Sequence, residues 1–169
     1  IFLLVFITNI HAQKEIKWAS FVREHDDAWF ATPEAKAIAE NVLLYQRNIG
    51  GWPKNIQMQN PLTDVQKNEL MALKSDDHNV TTDNGATTQE MLYLSKMYAK
   101  VQDDRYRVAF LAGLDYILEA QYYNGGWPQF YPLKKGYYTH ITYNDDSMVN
   151  ILNVLKNLAG KTGYYSITL

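Results

Sequence analysis

The chain has 169 residues, 16 Lys and Arg against 18 Asp and Glu, and no cysteine. That length suits one domain with a core of its own. A net charge of −2 excludes a basic nucleic-acid binder, and the lack of cysteine excludes disulfide scaffolds, thiolate metal sites and thiol catalysis.

Residues Ile1 to Ile7 form an apolar run followed by small Ala12, the pattern of a signal h-region and cleavage site. Residues 1–12 are therefore expected to be a partial signal peptide, too short to span a bilayer, and residues 13–169 an exported domain. Residues 16–30 are read as a first helix. Thr32-Pro33-Glu34 is a helix start, with Ile38, Val42 and Tyr45 on one face up to Gln46. Thr63-Asp64 begins another over residues 61–73. A helix from Thr87, with Glu90 completing a capping box, carries Met91, Leu94, Tyr98 and Val101. The next starts at Asp103 and is expected to bury Phe110, Leu114, Ile117 and Leu118. The last follows Asn144-Asp145 and is expected to bury Met148, Ile151, Leu152, Leu155 and Leu158. Gly160 and Gly163 end it. Tyr164 and Tyr165 read as the start of a further segment, so the chain is expected to be C-terminally truncated. No strand-period run competes, and the fold class is all-α.

An internal repeat organises these helices. Gly50-Gly51-Trp52-Pro53 recurs 75 positions later as Gly125-Gly126-Trp127-Pro128, each preceded by a helix and a Gln, Gln46 and Gln121. The Gly pair ends the helix, Pro prevents its resumption, and the Trp folds back as a structural cap. Helix pairs that cannot bury their faces alone stack on neighbours, so an incomplete α/α toroid of helical hairpins with long Gly- and aromatic-rich loops is expected.

Two acidic loops carry the chemistry: Val80 to Gly85 (VTTDNG) and Ile141 to Asp146 (ITYNDD). Both precede helices, and like-directed helices of a toroid bring their N-termini to one end. Asp83 and Asp145 can then share a cleft and, with amide oxygens, suit Ca²⁺ or glycosidase-type acid–base work. The plain alternative is helix N-capping. Between the loops, Lys134 and Lys135 sit among Phe130, Tyr131, Tyr137 and Tyr138, and Lys54 follows the first Trp-Pro. Such a groove would suit an acidic sugar, the alternative being solvated lysines. His140 is a candidate base or an ordinary loop histidine.

The segments GGWPKN (50–55), TTDNGATT (81–88), GLDYILEAQ (113–121) and NGGWPQFYPLKKGYYTHITYNDDSM (124–148) resemble the pectate lyases of polysaccharide lyase family ten, a likeness that extends over Trp18 to Tyr165. The resemblance implies a secreted or periplasmic, irregular α/α-toroid enzyme that cleaves polygalacturonate by calcium-dependent β-elimination, here expected to be a monomer without nucleic-acid or membrane partners. It implies that Asp83 and Asp145 hold the calcium–substrate arrangement as catalytic and metal-binding residues. Asn84, Asp146, Lys54, Lys134, Tyr137 and His140 are the substrate-binding candidates. It also implies an arginine base; Arg23, Arg47, Arg105 and Arg107 match no such motif, so that base is expected beyond Leu169 and the fragment is expected to be inactive alone. A toroid glycoside hydrolase acting on uronides and a non-catalytic carbohydrate-binding domain stay open as alternatives.

Overall fold

The computed structural model describes residues 16–141 and 143–167. The apolar run of residues 1–7 and the cleavage expected after Ala12 lie outside the described residues. Six α-helices are present among them: α1 (Trp18–Glu24), α2 (Pro33–Tyr45), α3 (Asp64–Ala72), α4 (Thr88–Val101), α5 (Asp104–Glu119) and α6 (Ser147–Ala159). Short 3₁₀ turns lie at Trp29–Ala31, Asp83–Gly85, Tyr137–Thr139 and Gly163–Ile167. The described residues contain no strand, only two isolated antiparallel bridges, Pro53 with Val80 and Thr81 with Phe130. The all-α reading is borne out. No described helix is long and apolar enough to cross a membrane.

Local chemistry sets the helix ends. Thr32 Oγ1 accepts from Ala35 N at 3.2 Å, with Pro33 at the first helical position of α2. The far end of α2 is closed from outside, because Lys74 Nζ donates to Leu43 O at 2.6 Å and Gln46 O at 2.9 Å. Thr63 and Gln66 form a reciprocal capping box on α3. The single helix expected over residues 16–30 is instead α1 followed by a 3₁₀ turn. Asp26 Oδ1 accepts from Trp29 N at 3.0 Å, which restarts the chain after a break at His25.

Helix α4 is central and packs against α1, α2, α5 and α6. Met91, Tyr93, Leu94 and Met97 are fully buried on it, and Tyr93 donates its hydroxyl to Ala35 O at 2.8 Å. The capping box expected between Thr87 and Glu90 is only half formed: the Thr87 side chain makes no cap bond, while Glu90 accepts from the Thr87 backbone N–H. Glu90 is buried and accepts from the Trp18 indole at 2.8 Å, while Thr87 is turned to loop bonds described below. Leu118 and Leu152 are exposed rather than buried. The buried stripe of α5 runs through Tyr106, Ala109, Phe110, Gly113, Tyr116 and Ile117, and that of α6 through Met148, Ile151, Val154 and Leu158. Leu118 and Leu152 each stand about 100° round the helix from the buried residue just before them, Ile117 and Ile151.

The repeat in sequence is a repeat in space. The Trp52 indole donates to Val42 O at 2.8 Å and the Trp127 indole to Ile117 O at 2.7 Å, each ten residues back. Arg47 N meets Gly51 O at 3.0 Å, and Tyr122 N meets Gly126 O at 3.1 Å. Gly50 has φ +104°, and a Cβ there would lie 2.1 Å from Ala112 O, so the loop can approach α5 only with glycine. Gln46 bonds backbone as its place at the helix end suggests, through Gly50 O at 2.7 Å and Ala109 O at 2.8 Å.

Candidate functional site

The first acidic loop threads between the two Gly-Gly-Trp-Pro loops. On one side Thr81 N donates to Trp52 O at 3.2 Å, and on the other the Thr81 hydroxyl donates to Gln129 O. Thr87 Oγ1 donates to Thr81 O at 2.9 Å and accepts from Trp52 N at 3.1 Å, which explains why it does not cap α4. Thr82 is tied to the start of α6, where Ser147 Oγ donates to Thr82 O at 3.1 Å. Two consecutive residues thus lock onto three different elements, and Asp83, which follows them, is aimed by them.

Asp83 is 1% exposed. Its Oδ2 is ion-paired with Lys54 Nζ and accepts from Gln129 Nε2 at 2.6 Å. Its Oδ1 accepts from Asn144 Nδ2 at 3.2 Å, and the same nitrogen donates to Asp145 Oδ2 at 2.7 Å. The loops expected to meet therefore do meet, through an amide that links both carboxylates. Burial is the largest single influence on the Asp83 carboxyl and pushes its pKa up. The bonds from Lys54, Gln129 and Asn144 together outweigh it and hold the group below the ordinary carboxylate range. Asp145 is exposed, so the pair has a dry member and a wet member.

N-capping does not account for these acids: neither Thr87 ahead of α4 nor Asp146 ahead of α6 makes a side-chain cap bond. Asp145 and Asp146 instead adopt left-handed backbone at φ 44° and 56°. Asn84, at φ 53°, faces another way and donates to Asn55 Oδ1 at 2.9 Å. A cleft of about 350 Å³ opens there, lined by Trp18, Lys54, Asn55, Asn84, Gln89 and Glu90. Lys54 also borders a second cleft of about 430 Å³ with Arg47, Asn79 and Phe130.

Phe130 organises the basic and aromatic candidates. Lys134 Nζ lies 4.1 Å and Lys54 Nζ 5.4 Å from its ring centroid. Tyr138 meets Phe130 edge-on at 5.3 Å, and exposed Tyr137 packs on Tyr138 at 4.1 Å. The Tyr137 hydroxyl pKa is raised, first by its bond with Tyr138 and to a lesser degree by the Asp83 charge. Lys134 donates to Asn79 Oδ1 at 2.9 Å. His140 and Asp146 are exposed, His140 at the end of the turn Tyr137–Thr139.

Two members of the cluster escape a reading by motif: Gln129 and Asn144. Gln129 had a signal, since the repeat offset of 75 carries Lys54 onto it. Asn144 had only its place beside Asp145. Among the described residues no three carboxylate or imidazole side chains form an ion cage. Asp145 offers a hard oxygen donor at the solvent edge, and Asp83 a buried one on the other side of Asn144. Carboxylate oxygens are the donor type that calcium takes, and two of them would leave most of its about six to eight positions to other oxygens.

Residues 46–168 match the family model described as pectic acid lyase. Among solved structures, the chain is similar to a family 10 polysaccharide lyase from Cellvibrio cellulosa, at 32% identity and a TM-score of 0.66, over 88% of this chain and 41% of that one. It is similar in the same way, at 31% identity and TM-score 0.66 over the same shares, to an aspartate-to-alanine mutant of the Cellvibrio cellulosa lyase in complex with trigalacturonic acid. The chain spans about two fifths of the length of these relatives. Among curated proteins nothing matches it. The matched segment holds both Gly-Gly-Trp-Pro loops and all of the Asp83 cluster, and the chain belongs to the pectic acid lyase family.

Proposed function

We propose that this chain supplies the calcium-side half of a secreted or periplasmic pectate lyase that cleaves polygalacturonate by β-elimination. The observation that supports this reading best is the Asp83–Asn144–Asp145 link, beside lysines seated on Phe130. In the reaction a base removes the C5 proton of a uronate, the electron pair forms the C4=C5 bond, and the C4–O4 bond breaks with the electrons leaving on O4. Ca²⁺, when bound, withdraws charge from the uronate carboxylate and so makes the C5 proton more acidic.

The residues of this chain then have distinct tasks. Asp83 and Asp145 would hold the ion as ionised oxygen donors. Lys54 keeps Asp83 ionised despite its burial. Lys134 and the face built by Phe130, Tyr138 and Tyr137 bind the acidic sugar by charge and ring contact. Asn84, Asp146 and His140 are the candidates for contact with neighbouring units of the polymer. The base is the arginine that the family resemblance implies. Among the arginines here, Arg105 is held by Asp103 and Glu40 and Arg47 donates to Tyr45 O, so both are engaged away from Asp83 and Asp145.

Calorimetric titration of the chain with Ca²⁺ and trigalacturonate tests the reading. Each ligand should raise the affinity for the other by the same factor, because the ion and the uronate carboxylate complete each other's shell. Independent binding of the two would overturn it.

A further inference from the structure

The Asp83 carboxylate is gripped in a way that the proposed ion binding does not require. Both of its strongest side-chain donors land on one oxygen, Oδ2: the Lys54 ammonium and the Gln129 amide, at 2.6 Å for the latter. These donors come from the same place in the two repeats, each two residues after the Trp of its Gly-Gly-Trp-Pro loop. Their backbones are fixed independently. The first loop is held by the Trp52 indole bond and by the Pro53–Val80 bridge, the second by the Trp127 indole bond and the Thr81–Phe130 bridge. The repeat thus closes on Asp83 from two sides and leaves Oδ1 turned to Asn144 and Asp145. Gln129 is itself buried, and its Oε1 meets no hydrogen-bond partner. A buried amide that leaves one end unsatisfied is costly, and its other end is the one that grips Asp83.

We infer that Gln129 is a positioning residue: with its repeat counterpart Lys54 it clamps Asp83 Oδ2 in one rotamer, so that Oδ1 alone is presented to the Asp145 side. The inference rests on the proposed role of Asp83 only for its consequence in catalysis; the clamp is a property of the fold. It also explains why one repeat carries Lys and the other Gln. Two ammonium groups would cancel the charge of both Asp83 and Asp145 where a cation is to bind, whereas one ammonium and one neutral amide hold the same oxygen and leave the cluster a net negative charge.

The test is the rotamer of Asp83 in the full chain, read from three-bond couplings of labelled aspartate, in the wild type, Gln129→Ala and Gln129→Lys. The expected result is one fixed χ1 in the wild type, averaged couplings in Gln129→Ala, and a fixed χ1 again in Gln129→Lys, which copies the first repeat. Titration with Ca²⁺ alone should weaken roughly 10- to 100-fold in Gln129→Ala. In Gln129→Lys it should stay weak although the rotamer is restored, because the extra charge repels the ion. A fixed Asp83 in Gln129→Ala, or an averaged one in Gln129→Lys, would overturn the clamp. If Gln129→Ala does not fold, the Gln129→Lys couplings decide alone. Absence of Ca²⁺ binding by the wild type, with the rotamer results as expected, would remove the calcium reading and leave the clamp standing.

Discussion

Asp83 and Asp145 accept hydrogen bonds from one nitrogen, Asn144 Nδ2, at 3.2 and 2.7 Å. Residues 62 positions apart are thereby joined into one acidic unit with a buried and an exposed end. Groups that share a partner do not act independently. Asp83→Asn and Asp145→Asn should each weaken Ca²⁺ binding strongly, and the double variant should lose less than the sum, by about 0.5–3 kcal/mol of coupling. Calorimetry on the four proteins measures this, and strict additivity would separate the two acids into unrelated sites.

Glu90 gives the stability of the chain a pH dependence opposite to that of Asp83. Burial raises its carboxyl to about 7, against which the Trp18 indole bond and backbone donors act only in part. The folded state therefore binds more protons than the unfolded state between the ordinary value of 4.5 and about 7. Its stabilising share is complete below the unfolded pKa and is lost as pH rises through about 7. Asp83, with a lowered pKa, contributes above its unfolded value of 3.8 and loses that contribution as pH falls through the folded one. Glu90→Gln keeps an acceptor for Trp18 and should flatten the decline towards neutral pH, with a gain of order 2–3 kcal/mol at pH 8. Urea unfolding from pH 5 to pH 8 checks it; an unchanged slope in Glu90→Gln would show that another group sets it.

Gly50 and Gly125 occupy the same place in the two repeats but not the same surroundings. Both have positive φ, +104° and +82°. A Cβ at Gly50 would strike Ala112 O at 2.1 Å, whereas one at Gly125 meets nothing within 4 Å. Gly125→Ala should cost about 1 kcal/mol for its backbone alone, and Gly50→Ala several times that, since α5 must move. Equal losses on thermal unfolding would contradict the close approach seen at Gly50.

Much of the fold was legible because it rests on short-range rules. Thr32-Pro33 and Thr63…Gln66 start helices with the bonds their types suggest, and the Gly-Gly-Trp-Pro repeat turned out to be one hydrogen-bonded device used twice. The misreadings have a common cause, which is tertiary competition. Thr87 and Glu90 fit a capping box, but the Thr87 side chain is drawn to Trp52 and Thr81, and Glu90 is shared with Trp18. Leu118 and Leu152 fit an apolar stripe, and only the packed structure fixes its phase. In the site, the meeting of the Asp83 and Asp145 loops followed from where helices begin. Gln129 and Asn144 did not, because a neutral amide announces no chemistry until its partners are known.

The indole bonds allow a paired comparison. Trp52→Phe and Trp127→Phe each leave a buried carbonyl, Val42 O or Ile117 O, without its donor. Each should cost about 1–3 kcal/mol for that group alone. Loss of the Trp127 bond should also disturb Gln129, two residues on. Chemical denaturation gives the costs, and a negligible effect at either position would mean that the ring, not its N–H, holds the loop.

If Asp83 and Asp145 belong to a calcium-dependent eliminase, its product carries a new double bond. The most direct measurement is the ultraviolet absorbance of the C4=C5 bond, followed while the full-length gene product acts on polygalacturonate, with and without a calcium chelator and with Asp83→Ala. The expected result is a rising absorbance that both the chelator and Asp83→Ala abolish. Release of reducing ends without that absorbance, insensitive to chelator, would contradict this assignment and point to hydrolysis by the same two carboxylates.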